Sequence, residues 1–213
     1  MAGGENKKGV LTLLISIEGI DGTGKTTLAK LLTTHYNTKY IKFPSENNEI
    51  GKLIKKILND SFVLSFNEAV SLQMLFTINK MLEIENLSYS YSEIVIMDRY
   101  IDSALVYGYL DNIPLNYTYE LNKFLPTPHL TLILDASPEI CIERLRKRNL
   151  FDYYEDESKL KVLRELYKEL PAIYKAFGVE RKFVYLDAEK SIDEIFIAAV
   201  KEIDDMYSLL IFA

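Results

Sequence analysis

Glu18-Gly19-Ile20-Asp21-Gly22-Thr23-Gly24-Lys25-Thr26-Thr27 sits between an apolar run, Leu11–Ile17, and a helix-period stretch, Lys25–Tyr36. It fits the pattern G-x-x-x-x-G-K-[ST] in the strand–loop–helix setting that this motif requires. Three of the nine glycines in the chain fall within six residues here. Glycine admits positive φ and close approach of the backbone, so successive N–H groups can turn toward an anion. The positive end of the following helix adds to the attraction. The motif therefore predicts a nucleoside triphosphate site. Gly19, Gly22, Thr23 and Gly24 form the cradle, Lys25 bridges the β- and γ-phosphates, and the Thr26 hydroxyl ligates Mg²⁺, with Thr27 just behind it.

Working outward, short continuous apolar runs alternate with longer helix-period stretches. The runs are Leu11–Ile17, Lys39–Phe43, Ile94–Met97, Leu130–Leu134 and Lys182–Leu186. Apolar character without alternation suits parallel strands covered on both faces. Helical patterns fill Lys25–Tyr36, Ile50–Asn59, Asn67–Leu87, Tyr117–Phe124, Pro138–Arg148, Ser158–Phe177 and Ile192–Met206. Ser137 before Pro138 reads as an N-cap, because proline is tolerated in a first helical turn. The expected fold is α/β: a doubly wound five-stranded parallel sheet flanked by helices, of the P-loop kinase type with a lid. Ligands of such sheets lie beyond the carboxyl ends of the strands. With 213 residues and no Pro/Gly-rich linker or repeat, one domain is expected over 1–213, with Met1–Gly9 as a polar lead-in.

Composition narrows the partners. Asp plus Glu total 31 against 25 Lys plus Arg, a net charge of −6. An acidic surface argues against binding a nucleic-acid polymer, which needs a basic face to displace counterions. The longest apolar run, Val10–Ile17, is too short to span a bilayer and leads into a glycine loop rather than a cleavage site. Cys141 is the one cysteine. This excludes an intramolecular disulfide or a cysteine metal site and fits a reducing cytoplasm.

Two further clusters bear on chemistry. The third strand ends in Asp98-Arg99-Tyr100. A carboxylate leaving a buried strand beside the first can reach Mg²⁺, and the adjacent Arg can reach phosphate oxygens. Against a GTPase reading, Ile101 stands where Asp-x-x-Gly needs glycine, and no Asn-Lys-x-Asp occurs. The second cluster is Glu143-Arg144-Leu145-Arg146-Lys147-Arg148, which runs into the aromatic, acidic stretch Asn149–Glu155. Such a run is commonly a solvated helix face. Beside a loop of this kind it reads as a lid, about residues 146–156, bringing cations over a transferring phosphoryl group. Arg148 is the leading cation, Arg146 the next, and Arg144 lies toward the adenine side. His35 and His129 read as structural or surface residues, and Cys141, on a face with Leu145, as core.

In this order the clusters resemble the thymidylate kinase family over nearly the whole chain. The resemblance implies transfer of a phosphoryl group from ATP to dTMP, with Mg²⁺, by a homodimer. It assigns Asp21 of the P-loop to the sugar hydroxyl of the acceptor as well. Asp98-Arg99-Tyr100 is similar to the family's Asp-Arg-Tyr/His, where Asp serves the metal and Arg the phosphate. Phe43-Pro44 resembles its Phe-Pro segment. Leu75-Phe76-Thr77-Ile78-Asn79-Lys80 is similar to Leu-Phe-x-Ala-Asn-Arg, in which the Phe stacks on thymine and the Arg reaches a base oxygen. Ser103 and Tyr107 match positions facing base and deoxyribose, Tyr154 joins the acceptor-binding set, and Ala188 lies in a loop resembling one along the adenine of ATP. An aromatic face and an edge donor suit a flat base with carbonyls. The Asn67–Leu87 helix is apolar on more than one side, so part of it can line the pocket and part can meet a second subunit.

The departures from the family pattern leave alternatives open. The Arg expected soon after Phe-Pro is replaced by Ser45-Glu46-Asn47-Asn48, so Arg99 is expected to grip the acceptor phosphate, with Lys42 in reserve. The base-reading Arg is Lys80, which cannot fork. A deoxynucleoside kinase, with Glu46 as base toward a 5′-hydroxyl, is a second reading. A third is a protein that binds ATP without transferring phosphate.

Overall fold

The computed structural model describes residues 12–59, 64–87, 94–147 and 156–212. Met1–Gly9, Leu11, Arg148, Tyr154 and most of the expected lid lie outside the described residues. Five strands form one sheet: β1 (Leu13–Glu18), β2 (Lys39–Lys42), β3 (Ile94–Asp98), β4 (Leu130–Asp135) and β5 (Phe183–Asp187). Their order is β2-β3-β1-β4-β5, and every neighbouring pair is parallel. The chain thus leaves β1 toward one side of the sheet, returns through β3, and then adds β4 and β5 on the other side. The switch point lies at β1, where a crevice opens beyond the carboxyl ends.

Burial explains the continuous apolar runs. Every residue of β1 and β3 is buried, as parallel strands covered on both faces require, whereas the edge strands β2 and β5 are only partly buried. Successive β1 side chains point to opposite faces. Ile15 and Ile17 belong to the larger apolar core with Leu28 and Leu32, and Leu14 packs with Ile101 and Val95. Ser16 and Glu18 share the face of Leu14, so polar groups enter the interior there.

The helices are α1 (Lys25–Tyr36), α2 (Glu49–Asn59), α3 (Phe66–Leu87), α4 (Ile101–Leu110), α5 (Leu115–Asn122), α6 (Pro138–Arg146), α7 (Glu157–Ala176) and α8 (Ile192–Phe212). The α1 and α8 helices pack together, while α4 packs among α3, α5 and α7. Apart from shifts of one or two residues at element ends, as at α5, these features differ from the sequence reading. Helix α4 had no expected counterpart: Ile101 through Gly108 are all buried, so no polar stripe marks a 3.6-residue period. Helix α8 runs past Met206 to Phe212. Ser137 does occupy the N-cap of α6, but its side chain makes no cap bond; its backbone N–H donates instead to the Glu189 carboxylate at 2.8 Å.

Several polar side chains inside this face bond to one another. Arg181 donates through both terminal nitrogens to Asp102 at 2.6 and 2.8 Å, and to Thr131 Oγ1 at 2.8 Å. Thr131 in turn meets Ser16 at 3.0 Å. This chain of bonds ties β5's approach, α4, β4 and β1 into one network below the crevice. His129 is structural, its Nδ1 accepting the Leu14 N–H at 3.0 Å. His35 stands edge-on to Tyr36 and Phe196.

Candidate active site

A cleft of about 340 Å³ opens beyond the carboxyl ends of β1 and β3. It is lined from the sequence-expected set by Asp21, Gly22, Gly24, Lys25 and Thr26, by Asp98, Arg99, Ser103 and Tyr107, and by Phe43, Phe76 and Lys80. Residues up to 86 positions apart are thus gathered around one space, as the hydrogen bond of Tyr107 to Asp21 illustrates.

The floor is the glycine loop. Gly24 caps α1 in a left-handed conformation at φ 95°, and Gly19 has φ 135° with the Leu134 carbonyl where a Cβ would stand. A side chain at either position would be strained or would clash. Thr23 turns inward and donates to the Ile20 carbonyl at 2.9 Å. Lys25 is buried and donates to the same carbonyl at 2.7 Å, with Asp21 3.9 Å away. Burial and the nearby Arg99 charge pull the Lys25 ammonium down to about 8. An anion arriving over the loop would offer this ammonium a stronger partner than one neutral carbonyl.

At the end of β3, Asp98 accepts from Thr26 Oγ1 at 2.6 Å and from Tyr40 at 3.1 Å, both on Oδ2. Its Oδ1 is buried without a partner. A hydroxyl and a carboxylate side by side, with one carboxylate oxygen unspent, fit a Mg²⁺ ion that keeps several waters and takes phosphate oxygens as further ligands. Among the described residues no cluster of three or more His, Cys, Asp or Glu could hold a metal by itself.

Arg99 sits at φ 64°, a left-handed conformation that non-glycine residues rarely adopt. This backbone turn follows β3 directly and aims the guanidinium across the cleft. Arg99 Nη2 pairs with Asp21 Oδ1, while Nη1 donates to Ser103 Oγ at 3.1 Å. Tyr107 donates to the other Asp21 oxygen at 2.7 Å, and the guanidinium lies 5.0 Å from the Tyr107 ring centre. Burial alone would raise the Asp21 carboxyl, but Arg99 and Lys25 hold it well below the usual carboxylate range.

Below this pair lies Glu18, whose motif position drew no role from sequence. Its carboxylate accepts from the Tyr100 N–H at 2.7 Å, Ser103 Oγ at 2.6 Å and Tyr167 at 3.2 Å. Burial and the charge of Asp102 still push it up to about 7. Ser103, expected to face the ligand, therefore spends its own proton on Glu18. Signals for Glu18 and Tyr167 were absent from sequence, because their pairing spans 149 positions.

The far wall is α3. Lys80 is 2 % exposed; its Nζ reaches Asn122 Oδ1 at 3.4 Å and stands 5.8 Å from the Phe76 ring centre. Burial pulls this ammonium down to about 8. The segment after β2 is fastened to α3 by Asn79, whose side-chain amide exchanges two bonds with the Ser45 backbone, at 2.8 and 2.9 Å. That clamp holds Phe43, Pro44 and Glu46 opposite Phe76. Lys42, Glu46, Lys55 and Gln73 also line the cleft, and Lys55 pairs with Glu46 at 2.7 Å.

The remaining expected residues stand apart. Arg144 Nη1 donates to the Ala188 carbonyl at 2.9 Å and lies 3.5 Å from the Gly22 carbonyl, joining α6, the P-loop and the loop after β5. Thr27 is exposed on α1, and Arg146 is exposed at the end of α6. Neither histidine lines the cleft. The arrangement can hold two anions end to end, one on the glycine loop and one before Arg99, with a flat group against Phe76.

Known proteins are similar to this chain over most of its length. Residues 17–198 match the family model described as thymidylate kinase. A probable thymidylate kinase of Sulfolobus acidocaldarius is 39% identical over 190 residues, 85% of this chain and 91% of that protein. One from Methanococcus aeolicus is 30% identical, covering 92% of this chain and 98% of its own. The solved thymidylate kinase of Candida albicans superposes with a TM-score of 0.72 at 27% identity, over 92% of this chain and 94% of its own. A deoxyadenosine kinase from M. mycoides superposes with a TM-score of 0.69 at 17% identity, over 91% of this chain and 100% of its own; this likeness is one of fold.

Proposed function

The chain belongs to the thymidylate kinase family, and on that premise we propose how its cleft carries a phosphoryl group from ATP to dTMP, giving dTDP and ADP. It is an enzyme of the nucleoside monophosphate kinase type. The observation that carries the acceptor assignment is the joining, in one cleft, of a glycine-loop anion site to a base-sized pocket bearing Phe76 and Lys80, with Arg99 between them.

ATP lies with its phosphates over Gly19–Thr27 and its adenine toward Arg144 and Ala188. Lys25 leaves the Ile20 carbonyl for the β- and γ-phosphates. Thr26 and Asp98 would hold a Mg²⁺ ion, which would supply neutralisation of the phosphate charge. The acceptor's 5′-phosphate faces Arg99, its sugar Asp21 and Tyr107, and its base Phe76, Lys80 and Ser103, with Phe43 packing behind. That phosphate is already an anionic nucleophile, so the transfer needs alignment and charge neutralisation rather than a base. The cleft supports this, since cations line it and no histidine does. The P-loop itself carries no arginine. Arg148, with Arg146, is therefore the proposed lid cation over the transferring group, and the Arg146→Ala/Arg148→Ala double mutant should lose at least about a hundredfold in turnover. Near-normal turnover in that mutant would remove the lid from the account.

The nucleoside-kinase alternative is not favoured. Its candidate base, Glu46, is held by Lys55. A homodimer is also proposed. Met74, Ile78, Met81 and Leu82 leave an apolar stripe on the outer side of α3, away from the pocket, and a patch of this kind on a long helix suits a second subunit. The cytoplasm is the proposed location, supported by the lone buried Cys141. Among the described residues no helix is long and apolar enough to cross a membrane. The test is transfer of γ-labelled phosphate from ATP–Mg²⁺ to dTMP and to thymidine in parallel. Label in dTDP is the expected result, and label in dTMP from thymidine, with none in dTDP, would overturn it.

A further inference from the structure

One side chain in the cleft wall has chemistry that none of the roles above uses. Gln73 on α3 is 0 % exposed and lines the cleft. Neither its Oε1 nor its Nε2 has a hydrogen-bond partner. A buried carboxamide with both ends unserved costs stability, and native proteins rarely keep one without a reason.

Its surroundings point to the reason. Gln73, Phe76, Thr77 and Lys80 are spaced i, i+3, i+4 and i+7, so they share one face of α3. The Thr77 hydroxyl is engaged elsewhere, donating to the Gln73 backbone carbonyl at 3.0 Å. Asn122 on α5 receives Lys80, and its own amide nitrogen donates to the Thr118 carbonyl at 2.9 Å. Neither group turns toward the Gln73 amide. On α4, Gly108 faces this amide with backbone alone; a Cβ there would meet the Gln73 amide at 3.5 Å and Thr118 Oγ1 at 3.0 Å, and that hydroxyl, like the Gln73 amide, is buried without a hydrogen bond. The carboxamide is thus buried and left without protein partners, on the helix face that carries an aromatic ring and a buried ammonium.

We infer that Gln73 is a base-reading residue, its amide pairing with the imide edge of thymine. This rests on the dTMP reading of the same cleft. Oε1 accepts from the ring N3–H, Nε2 donates to a carbonyl beside it, and Lys80 supplies a further donor to a ring carbonyl. A carboxamide alone can rotate to suit either a thymine or a cytosine edge. The ammonium cannot, because it needs a carbonyl where cytosine carries an amino group. The pair therefore selects a 2,4-dioxopyrimidine, with Gln73 reading N3 and Lys80 fixing which way the amide turns.

The test compares kcat/KM for dTMP, N3-methyl-dTMP and dUMP in the full-length enzyme and in Gln73→Met. Methionine keeps the side-chain length and removes both unserved atoms, so the variant should fold at least as stably as the parent. Gln73→Leu provides a second apolar replacement. The wild type should prefer dTMP over N3-methyl-dTMP by about a hundredfold or more. In either variant this preference should shrink to about tenfold or less, through loss of dTMP activity, while the dTMP-to-dUMP ratio and the KM for ATP stay within about twofold. A preference for dTMP over N3-methyl-dTMP that survives both substitutions would overturn the inference, whether the amide merely packs or is served by a water. A wild type that phosphorylates thymidine but not dTMP would instead overturn the functional reading on which it stands.

Discussion

The two ends of the cleft solve opposite problems. At the phosphate end the main charged groups already have partners: Arg99 holds Asp21, Thr26 holds one oxygen of Asp98, and Lys25 holds the Ile20 carbonyl, with only the second Asp98 oxygen kept for a metal. At the base end Lys80 has one long bond to a neutral amide, and Gln73 has none. The first end must exchange internal partners for a ligand, so its groups stay charged and its geometry is kept by the protein itself. The second has an unfilled requirement that only a ligand of matching pattern meets. Chemistry can be prepared by pairing charges in advance; recognition gains more from leaving polar groups unserved, because the wrong ligand then leaves them unserved too.

The sharpest way to break this comparison is at Lys25. Lys25→Met should cut turnover by about a thousandfold or more, because charge placed on the transferring phosphoryl group acts mainly in the transition state. Rapid-quench turnover with saturating ATP reads this directly. A loss of tenfold or less would mean that the loop backbone alone carries the phosphates.

Lys80 tests the other end. Lys80→Met should lower kcat/KM for dTMP by about 10- to 100-fold, the value of one or so charged hydrogen bonds, and yet stabilise the ligand-free protein at pH 7 by about 1–3 kcal/mol, since it removes a poorly served buried ammonium. Urea unfolding measures the stability change. A variant less stable than the parent would show that the ammonium is well served in the empty cleft.

The sign of the pH dependence follows from the same group. Burial lowers the folded-state pKa of Lys80 from 10.5 to about 8. Below pH 8 both folded and unfolded chains hold the proton, so the full cost of burying charge is present. Between pH 8 and 10.5 the unfolded chain binds more protons, and stability contributed by this group rises with pH. Lys25 adds a rise over the same range. Unfolding of Lys80→Met at pH 7.5 and 10 should therefore show a smaller rise than the parent, though not none. An unchanged difference between the two pH values would remove Lys80 as its source.

These contrasts also explain what could be read without coordinates. The glycine loop and Asp98-Arg99 were legible because their chemistry lies in contiguous residues next to apolar strands. Phe76 and Lys80 were legible through resemblance, and the amphipathic split of α3 through its excess of apolar sides. Helix α4 was not, because a helix buried all round carries no polar stripe to mark its period. Gln73 was equally hidden: whether its amide finds a partner depends on neighbours on other elements, such as Asn122, which serves Lys80 instead. The Arg181–Asp102 pair, buried to 1 % and 0 %, spans residues with no shared local pattern.

The smallest effect is expected on the outer side of α3. Met74→Lys with Ile78→Glu should turn a dimer into a monomer in sedimentation while changing kcat/KM for dTMP by no more than about threefold, since neither side chain lines the cleft. A dimer that persists would place its interface elsewhere.

The most direct test of an acceptor laid from Arg99 to Lys80 is calorimetric binding of dTMP and thymidine to the wild type and to Arg99→Ala. If Arg99 grips the acceptor phosphate, the wild type should bind dTMP at least about tenfold more tightly than thymidine, and Arg99→Ala should bind the two alike, with thymidine affinity nearly unchanged. A preference for dTMP that survives in Arg99→Ala would contradict the account and hand the phosphate to Lys42 or Lys55.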